Sequence, residues 1–502
     1  MGRCGVYSGE VDMKIALIYP PFLRLFGGEM NSFINNLCQI GAVAKKEGHE
    51  TIVYNVDYSD ISSNFSLLDY QLHFNDYLKN LNDTEHQSWQ DLRAFLENYS
   101  PDLLGVTCMT AHWTSVQNVA KIFKQLYPEK PVIIGGHHPT AVPNQVILSP
   151  FVDYIVRGEG EITFIKLLHA LETGKSIENI NGISFKLGGK VLHNPDRGLI
   201  NNLDDLPFVD LDLMYKADVR PYDYGMFFTA RGCPYNCIFC ASKLMWTRRP
   251  RFRSPEKVVE EILERYKKKN VTEFAIYDDT FTINKNHAKK VCDLIIKSGV
   301  KFKWRCMSTV KSRDVDFYKK LKEAGCYSIS FGIETADSEG LKKIKKGTTI
   351  DEIKSAFSLV KNLGFSTNAY IMYGFPWEEK RHIKTDISLL KKIKPTSIGY
   401  SAVVPLPGTE LFELVREAGF LQKPLDQIDW SHYNQYSPVM FFSNKVPREE
   451  AYKLSLYAEK EFYKIDYLGK GIKGYLPLII EKTLGKNAKN YIKKLLLRWK
   501  IK

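Results

Sequence analysis

Residues 230–240 of the chain read ARGCPYNCIFC, and this segment narrows the chemistry of the protein more than any other. Its cysteines, Cys233, Cys237 and Cys240, have three and then two residues between them and follow the apolar run Met226-Phe227-Phe228-Thr229. Three thiolates on one short loop can bind three irons of a cubane cluster. The missing fourth thiolate leaves one iron open to a small-molecule ligand, and chemistry can begin there.

A structural zinc loop is the alternative reading of the same cysteines. It needs a fourth ligand, and the nearest candidates downstream are His287 and Cys292. Both fall within a predicted helix, and they lack the paired spacing that zinc loops usually show. The iron cluster is therefore the favoured interpretation.

Length and composition limit the class of protein. A chain of 502 residues exceeds what one hydrophobic core usually serves, so two or three domains are expected. Its hydrophobic content of 44% and aromatic content of 13% are typical of a globular protein and not of a disordered one. Nine cysteines without regular pairing argue against a disulfide framework and favour a reducing cytoplasm. No secretory signal and no membrane-spanning apolar run is visible, which predicts a cytoplasmic protein.

The net charge of +13 is concentrated at the C-terminal end of the sequence. Residues 482–502 hold eight Lys or Arg and no acidic residue, which leaves +5 for the rest of the chain. Apolar and basic residues interleave from 490 to 502, with a tryptophan at 499, as in a basic amphipathic helix. This pattern predicts peripheral contact with a membrane surface, and a packed C-terminal helix with a solvated basic face is the alternative. Nucleic-acid binding is not expected, because no recognised module surrounds the charge.

Residues 13–195, after a leader at 1–12, are predicted to form a doubly wound, Rossmann-like α/β domain. Short apolar runs alternate with helical stretches, which indicates parallel βαβ units with a ligand crevice at the carboxyl ends of the strands. The predicted strands lie at 14–19, 51–54, 103–107, 131–136 and 154–158. A hairpin with a Gly-Gly turn is predicted over 182–193.

A second domain is predicted over 219–420, after a polar linker at 196–218. Strand-like runs recur after the one that precedes the cysteines, at 274–277, 302–306, 328–331, 369–372 and 398–403. Six such βα units make a partial barrel, in which chemistry is expected at the carboxyl ends of the strands. Residues 421–502 are predicted to form a helical C-terminal region that ends in the basic tail.

The cysteine spacing and the ordered motifs after the later strands resemble the radical S-adenosylmethionine (SAM) superfamily. The resemblance covers about residues 227–411 and implies a 4Fe-4S cluster whose open iron binds SAM. Asp278-Asp279-Thr280-Phe281 is similar to the family's Asp-Asp-x-Phe signature, although Asp279 would equally suit a helix cap. The residues that the resemblance assigns to SAM binding are Phe239, Asp278, Asp279, Glu334, Gly374 and Pro405.

The ends of the first-domain strands look like the cobalamin-binding domain that precedes many radical SAM barrels. The residues that this likeness assigns to cobalamin are Thr107, Met109, Thr110, Gly135, Gly136, His137, His138, Gly158, Glu159 and Gly160. The sequence contains no Asp-x-His-x-x-Gly run, so the family's usual histidine beneath cobalt is not expected. The two crevices must face each other, because the two cofactors act on one substrate.

The resemblance implies a cobalamin-dependent radical SAM enzyme that transfers methyl to an unactivated carbon by way of methylcobalamin and the 5′-deoxyadenosyl radical. A small-molecule or lipid-like substrate and an external electron donor are expected. The leading alternative is an oxidative cyclase or rearrangement enzyme with the same cofactors. Methylthio transfer would need a second cluster from Cys4, Cys38 and Cys108, and a cofactor-binding sensor without turnover is a further alternative.

Overall fold

The computed structural model describes residues 13–59, 70, 72–216, 219–437, 440, 442–443 and 445–446. Within these ranges the chain forms two large, mainly parallel sheets with helices packed on them, as the predicted α/β class requires. The leader and the basic tail at 482–502 lie outside the described residues.

The first sheet has seven strands in the order β2-β1-β3-β4-β5-β6-β7. Strands β1 to β5 are parallel and short, and apolar residues such as Ile15 and Ile18 in β1 are fully buried, which is typical of strands covered on both faces. The strands are β1 (Lys14–Tyr19), β2 (Glu50–Asn55), β3 (Leu103–Thr107), β4 (Val132–Gly135), β5 (Tyr154–Val156), β6 (Ile183–Leu187) and β7 (Lys190–His193). The covering helices are α1 (Asn35–Lys46), α2 (Phe74–Asn82), α3 (Gln87–Tyr99), α4 (Trp113–Leu126), α5 (His137–Ala141), α6 (Pro143–Leu148) and α7 (Gly160–Thr173).

Strands β6 and β7 form the predicted hairpin and extend the sheet in antiparallel fashion. Gly188 and Gly189 at its tip have φ values of 57° and 76°. Two consecutive positive φ angles are what a two-residue turn of the mirror-image type needs, so the Gly-Gly pair fixes the register of the hairpin.

The second sheet has six parallel strands in the order β8-β11-β12-β13-β14-β15, which is an open, partial barrel. Its strands are β8 (Met226–Phe227), β11 (Glu273–Ile276), β12 (Lys303–Ser308), β13 (Cys326–Glu334), β14 (Ser366–Tyr373) and β15 (Ser397–Ala402). Its helices are α8 (Ser242–Trp246), α9 (Pro255–Lys269), α10 (Lys285–Lys297), α11 (Val315–Glu323), α12 (Ser338–Lys343), α13 (Ile350–Asn362), α14 (Lys380–Ile393) and α15 (Glu410–Glu417). An antiparallel ribbon of β9 (Ala230–Arg231) and β10 (Arg251–Phe252) frames the cysteine segment.

The chain after α15 joins the two domains. Residues 421–437 contain the 3₁₀ turns Leu425–Gln427 and Trp430–His432 and no α-helix, so the predicted helical region is not found in this part, and most of its remainder lies outside the described residues. Pro424 directly precedes the first turn and disfavours helix before it. Trp430 is fully buried, and its indole nitrogen donates to Gln145 of the first domain at 2.7 Å.

Candidate functional site

The carboxyl end of the first sheet and the segment that follows β8 of the second sheet line one cavity of about 380 Å³. The loops after β3, β4 and β5 line it from the first domain. Phe228, Ala230, Arg231 and helix α8 line it from the barrel. Helix α5 packs against α8, which directly follows the cysteine segment. The structure therefore places the crevice of the first domain beside the segment of the barrel that leads into the cysteines.

Most of the residues predicted to bind cobalamin come together in this cavity. Gly136 has a φ of 111°, and a Cβ there would lie 2.9 Å from the carbonyl oxygen of Cys108, so only glycine fits. Met109 is 44% exposed although it is a large apolar side chain, which leaves its thioether free to meet a ligand. The predicted residues that line the cavity are Thr107, Met109, Gly135, Gly136, His137, Gly158, Glu159 and Gly160.

Thr110 and His138 do not line the cavity. Thr110 is buried in the 3₁₀ turn Thr110–His112. The ring of His138 is fully buried between Trp113 and Trp430, with ring centroids 5.7 and 5.2 Å away. Burial lowers the pKa of His138 to about 3, so its imidazole is neutral. Adjacent histidines of one short helix thus have different surroundings.

His137 lines the cavity from the first domain. Burial lowers its pKa, and the Asp279 carboxylate of the barrel opposes this shift. Asp279 also accepts a hydrogen bond from Ser242 Oγ at 2.5 Å. Burial raises the pKa of Cys233 and Cys240, and the Asp279 carboxylate raises it further. Asn284, and not Asp279, caps α10.

Asp278 holds the chain that enters the cysteine segment. Its Oδ1 accepts the backbone N–H groups of Thr229 at 2.6 Å and Ala230 at 3.1 Å, and its Oδ2 accepts the Thr229 hydroxyl. Burial raises the pKa of Asp278 to about 6, although these hydrogen bonds oppose the shift. The carboxylate therefore orients the backbone ahead of the first cysteine from a position that is 3% exposed.

The three cysteines are partly buried, and none is in a disulfide. The backbone N–H of Ile238 donates to the Ile344 carbonyl at 3.2 Å, which fixes the segment against the chain after α12. Burial raises the pKa of Cys237 to about 11, Lys346 lowers it, and Glu334 raises it further. Metal ligation is what would hold these thiols as thiolates, and three thiols on one loop fit the irons of a cubane.

Lys346 is a functional candidate that the sequence reasoning missed. Its Nζ lies 2.7 Å from Oε1 of Glu334, so a partly buried cation and a buried carboxylate lie together beside the cysteines. These are the charges that complement a carboxylate and an ammonium group. Nothing in the run of lysines at 342, 343, 345 and 346 singles out this one before the fold is known.

The other residues predicted to bind SAM lie at the ends of later strands or in the cysteine segment. Gly374 follows β14, and its N–H donates to the buried carboxylate of Glu378, which also accepts from Phe375 N at 3.2 Å. Burial raises the pKa of Glu378 to about 8. Pro405 is buried after β15, and Phe239 is partly buried against the core.

In the described part of the chain, neither candidate for the fourth ligand of a zinc loop joins the cysteines in a metal site. His287 Nε2 is hydrogen-bonded to the Arg253 carbonyl at 2.9 Å, and Cys292 is fully buried on the same helix. Among the described residues, no group of three His, Cys, Asp or Glu side chains is arranged to hold a metal ion. A cubane does not need such convergence, because each thiolate binds a different iron.

Comparison with known proteins matches both halves of the chain. The radical SAM superfamily model matches residues 227–390, and the B12 binding domain model matches residues 35–168. An uncharacterized methyltransferase of Pyrococcus horikoshii is 34% identical over 76% of this chain and 82% of its own length. An anaerobic magnesium-protoporphyrin IX monomethyl ester cyclase of Rubrivivax gelatinosus is 27% identical over 71% of this chain and 65% of its own length, slightly less than two thirds of it.

A solved structure shares the fold. The radical SAM methyltransferase TsrM from Kitasatospora setae, with cobalamin and a 4Fe-4S cluster bound, superposes with a TM-score of 0.65 at 16% identity, covering 90% of this chain and 89% of that chain. In the part of the chain that the structure describes, no helix is both long and apolar enough to cross a membrane. The predicted family, fold class and cofactors are confirmed: the chain belongs to the radical SAM superfamily and is a cobalamin-dependent enzyme of methyltransferase type that uses a 4Fe-4S cluster, SAM and cobalamin.

Proposed function

We propose that the enzyme methylates an unactivated carbon of a small-molecule substrate bound between its two domains. The observation that carries this proposal is the cavity that the carboxyl end of the first sheet shares with the barrel segment leading into the cysteines. A substrate there lies beside the loops after β3, β4 and β5 and beside the strand that enters the cysteine segment. An external electron donor completes the requirements, as expected for the superfamily.

The proposed ligands of the cluster are Cys233, Cys237 and Cys240, and the proposed cobalamin contacts are the predicted residues that line the cavity, apart from the Glu159 side chain, which is bonded to two arginines. When bound, the cluster supplies electrons to SAM, and cobalamin carries the methyl group. Asp278 fixes the backbone before the cysteines through its three hydrogen bonds. Lys346 and Glu334 offer opposite charges for the amino acid part of SAM.

Enclosure of the site supports radical chemistry, because water and stray side chains would quench reactive intermediates. The segment around Trp430 packs on the 3₁₀ turn at Thr110–His112 in the first domain. The N–H of Phe442 donates to the Gly374 carbonyl in the barrel at 3.1 Å. The C-terminal segment thus contacts both domains, the one proposed to bind cobalamin and the one proposed to bind the cluster.

Anaerobic reconstitution tests the assignment. Protein loaded with iron, sulfide and cobalamin is mixed with methyl-labelled SAM and a strong reductant, and host extracts are searched for labelled product. We expect a labelled product together with S-adenosylhomocysteine and 5′-deoxyadenosine. Each single Cys→Ala change at 233, 237 or 240 should abolish the cluster absorbance. Retention of an intact, SAM-responsive cluster in these variants would contradict the ligand assignment.

Oxidative cyclisation or rearrangement is the second candidate, and the 27% identity with the magnesium-protoporphyrin cyclase favours it. The same incubation separates the two reactions. Deoxyadenosine that forms with product but without S-adenosylhomocysteine or label would identify the cyclase reaction.

Peripheral membrane contact through the basic tail is proposed from the sequence alone. Eight basic and no acidic residues at 482–502, interleaved with apolar ones, suit an anionic lipid surface. Flotation with anionic liposomes should be lost when the chain ends at Glu481. Equal flotation of the full-length and shortened proteins would remove the proposal and, with it, the argument for a lipid-like substrate.

A further inference from the structure

Glu159 stands in the loop predicted to contact cobalamin, but its carboxylate is engaged elsewhere. Oε1 accepts hydrogen bonds from Arg231 and Arg251, both at 2.9 Å. Oε2 accepts from Arg251 at 2.9 Å and from the backbone N–H of Ile200 at 2.7 Å. These four bonds fill the acceptor sites of a carboxylate, and the side chain is 2% exposed. Little of the group is left to bind a cofactor.

The arginine partners of Glu159 lie on the two strands that frame the cysteine segment. Arg231 and Arg251 are opposite each other in the ribbon of β9 and β10. Arg231 lies two residues before Cys233, and its other guanidinium nitrogen reaches Glu161 at 2.5 Å. One carboxylate from the first domain therefore bonds both strands that frame the proposed cluster ligands.

The same residue belongs to the wall of the cavity. Gly158 and Gly160, on either side of Glu159, line the cavity, and a Cβ at Gly158 would meet open space. Helix α7 begins directly after Glu159. A ligand that settles against this loop acts on the backbone of Glu159, and the side chain passes the constraint to the ribbon.

The interaction is strong enough to transmit such a constraint. Burial alone would raise the pKa of Glu159, but hydrogen bonds from Arg251 and Arg231 hold it below its ordinary value, so the group is charged. Removing one partner of a buried ion pair is strongly destabilising, because it leaves the other charge buried without a partner. Separation of the loop from the ribbon is therefore unfavourable without solvent to replace these bonds.

We propose that Glu159 is a positioning residue that couples the binding of cobalamin to the conformation of the cysteine segment, and not a contact to the corrin. The inference rests on the proposed function, because it takes the cavity as the cobalamin site and the cysteines as the cluster ligands. Binding that orders residues 158–160 then orders both strands of the ribbon. The coupling is reciprocal, so a fixed cysteine segment also favours cobalamin.

Hydrogen–deuterium exchange of the cluster-loaded, full-length protein tests the coupling. The peptide covering 228–240 is followed with and without saturating hydroxocobalamin, in the wild type and in E159Q. In the wild type we expect cobalamin to slow the exchange of this peptide about tenfold, within the usual range of coupling between sites. E159Q should still bind cobalamin, as its absorbance shows, but should lose this protection.

E261Q is the matched control. Glu261 is likewise buried, lines the same cavity and accepts from two arginines, Arg253 and Arg265, but its carboxylate makes no bond to the loop after β5. The protection of the cysteine segment should persist in this variant. Loss of protection in E261Q to the same extent as in E159Q would overturn the specific role of Glu159.

A milder second variant keeps the inference testable if E159Q does not fold. R231K keeps the positive charge but has one nitrogen in place of the two that bond Glu159 and Glu161, so the protection should be reduced. Unchanged protection in both E159Q and R231K would overturn the inference while leaving the proposed function intact. Failure of the wild type to bind cobalamin would overturn both.

Discussion

Among single residues, Lys346 leads to the most specific prediction, which concerns the reduction potential of the cluster. Its ammonium group lies 2.7 Å from Glu334 and favours the thiolate form of Cys237, so it places positive charge next to the proposed cluster. A cluster gains negative charge on reduction, and a nearby cation favours the reduced state. K346M should therefore lower the reduction potential of the cluster by about 60 mV, a tenfold change for a one-electron couple. Redox titration followed by electron paramagnetic resonance measures it.

K346R is the control for charge at this position, since it retains the cation in a bulkier group. Its potential should lie closer to the wild type than that of K346M. A potential for K346M equal to that of the wild type would show that the lysine does not act on the cluster.

Single residues also show where sequence reasoning succeeds and where it stops. The cysteines are readable because their spacing on one segment is itself the signal. The pairing of Lys346 with Glu334 cannot be predicted from the sequence, because it depends on how the fold brings the end of β13 and the turn after α12 together. Likewise His137 and His138 are indistinguishable in sequence, and only the packing of Trp430 against the second one separates them.

At the scale of elements, the chain before the cysteines depends on Asp278. In D278A the buried N–H groups of Thr229 and Ala230 lose their acceptor, which typically costs about 1–3 kcal/mol for each group. We expect a lower melting temperature and incomplete cluster loading. Iron quantitation and thermal denaturation measure the two effects.

D314A is a suitable comparison for D278A. Asp314 caps α11 by accepting from Phe317 N at 2.9 Å, far from the cysteine segment in sequence. Loss of this cap should cost about 1 kcal/mol without loss of iron. Full iron content in D278A would show that the hydrogen bonds of Asp278 do not maintain the cluster site.

The loop after β14 predicts a pH dependence of stability. Burial raises the pKa of Glu378 from 4.5 to about 8, so the folded protein holds a proton that the unfolded chain releases between these values. The stabilisation is complete below about pH 4.5 and is lost as the pH rises to about 8, at up to about 1.4 kcal/mol per pH unit. E378Q mimics the protonated acid and should flatten the dependence. Thermal melts between about pH 6.5 and 8 test this, above the raised values of Asp57 and Asp278.

E379Q provides the control for the pH series. Burial hardly affects Glu379, and hydrogen bonds from Lys445 and Arg381 lower its pKa to about 2, so it does not titrate in this window. The slope of stability against pH should match that of the wild type. A wild-type slope in E378Q would contradict the protonated state of Glu378.

Elements differ in how far local sequence determines them. The central parallel strands of the first sheet were predicted within a few residues, because short, largely buried apolar runs follow from their burial on both faces. The Gly188-Gly189 hairpin was predicted because its turn requires positive φ. The segment at 421–437 was not, because its turns are set by contacts of Trp430 with Gln145 and His138 of the distant first domain.

At the scale of the whole molecule, binding in the interdomain cavity should stabilise the folded protein. A ligand at 100 times its dissociation constant adds about 2.7 kcal/mol, which raises the melting temperature by several degrees. G135V should remove this gain. Gly135 lines the cavity at an ordinary φ, and a Cβ there would meet only the Val156 carbonyl, at 3.6 Å, so the fold tolerates a side chain that the ligand does not.

Differential scanning fluorimetry with and without hydroxocobalamin compares G135V with G198V. A Cβ at Gly198 meets nothing within 4 Å, and this residue lies outside the cavity lining. G198V should keep the full shift, and an equal shift in G135V would place cobalamin elsewhere.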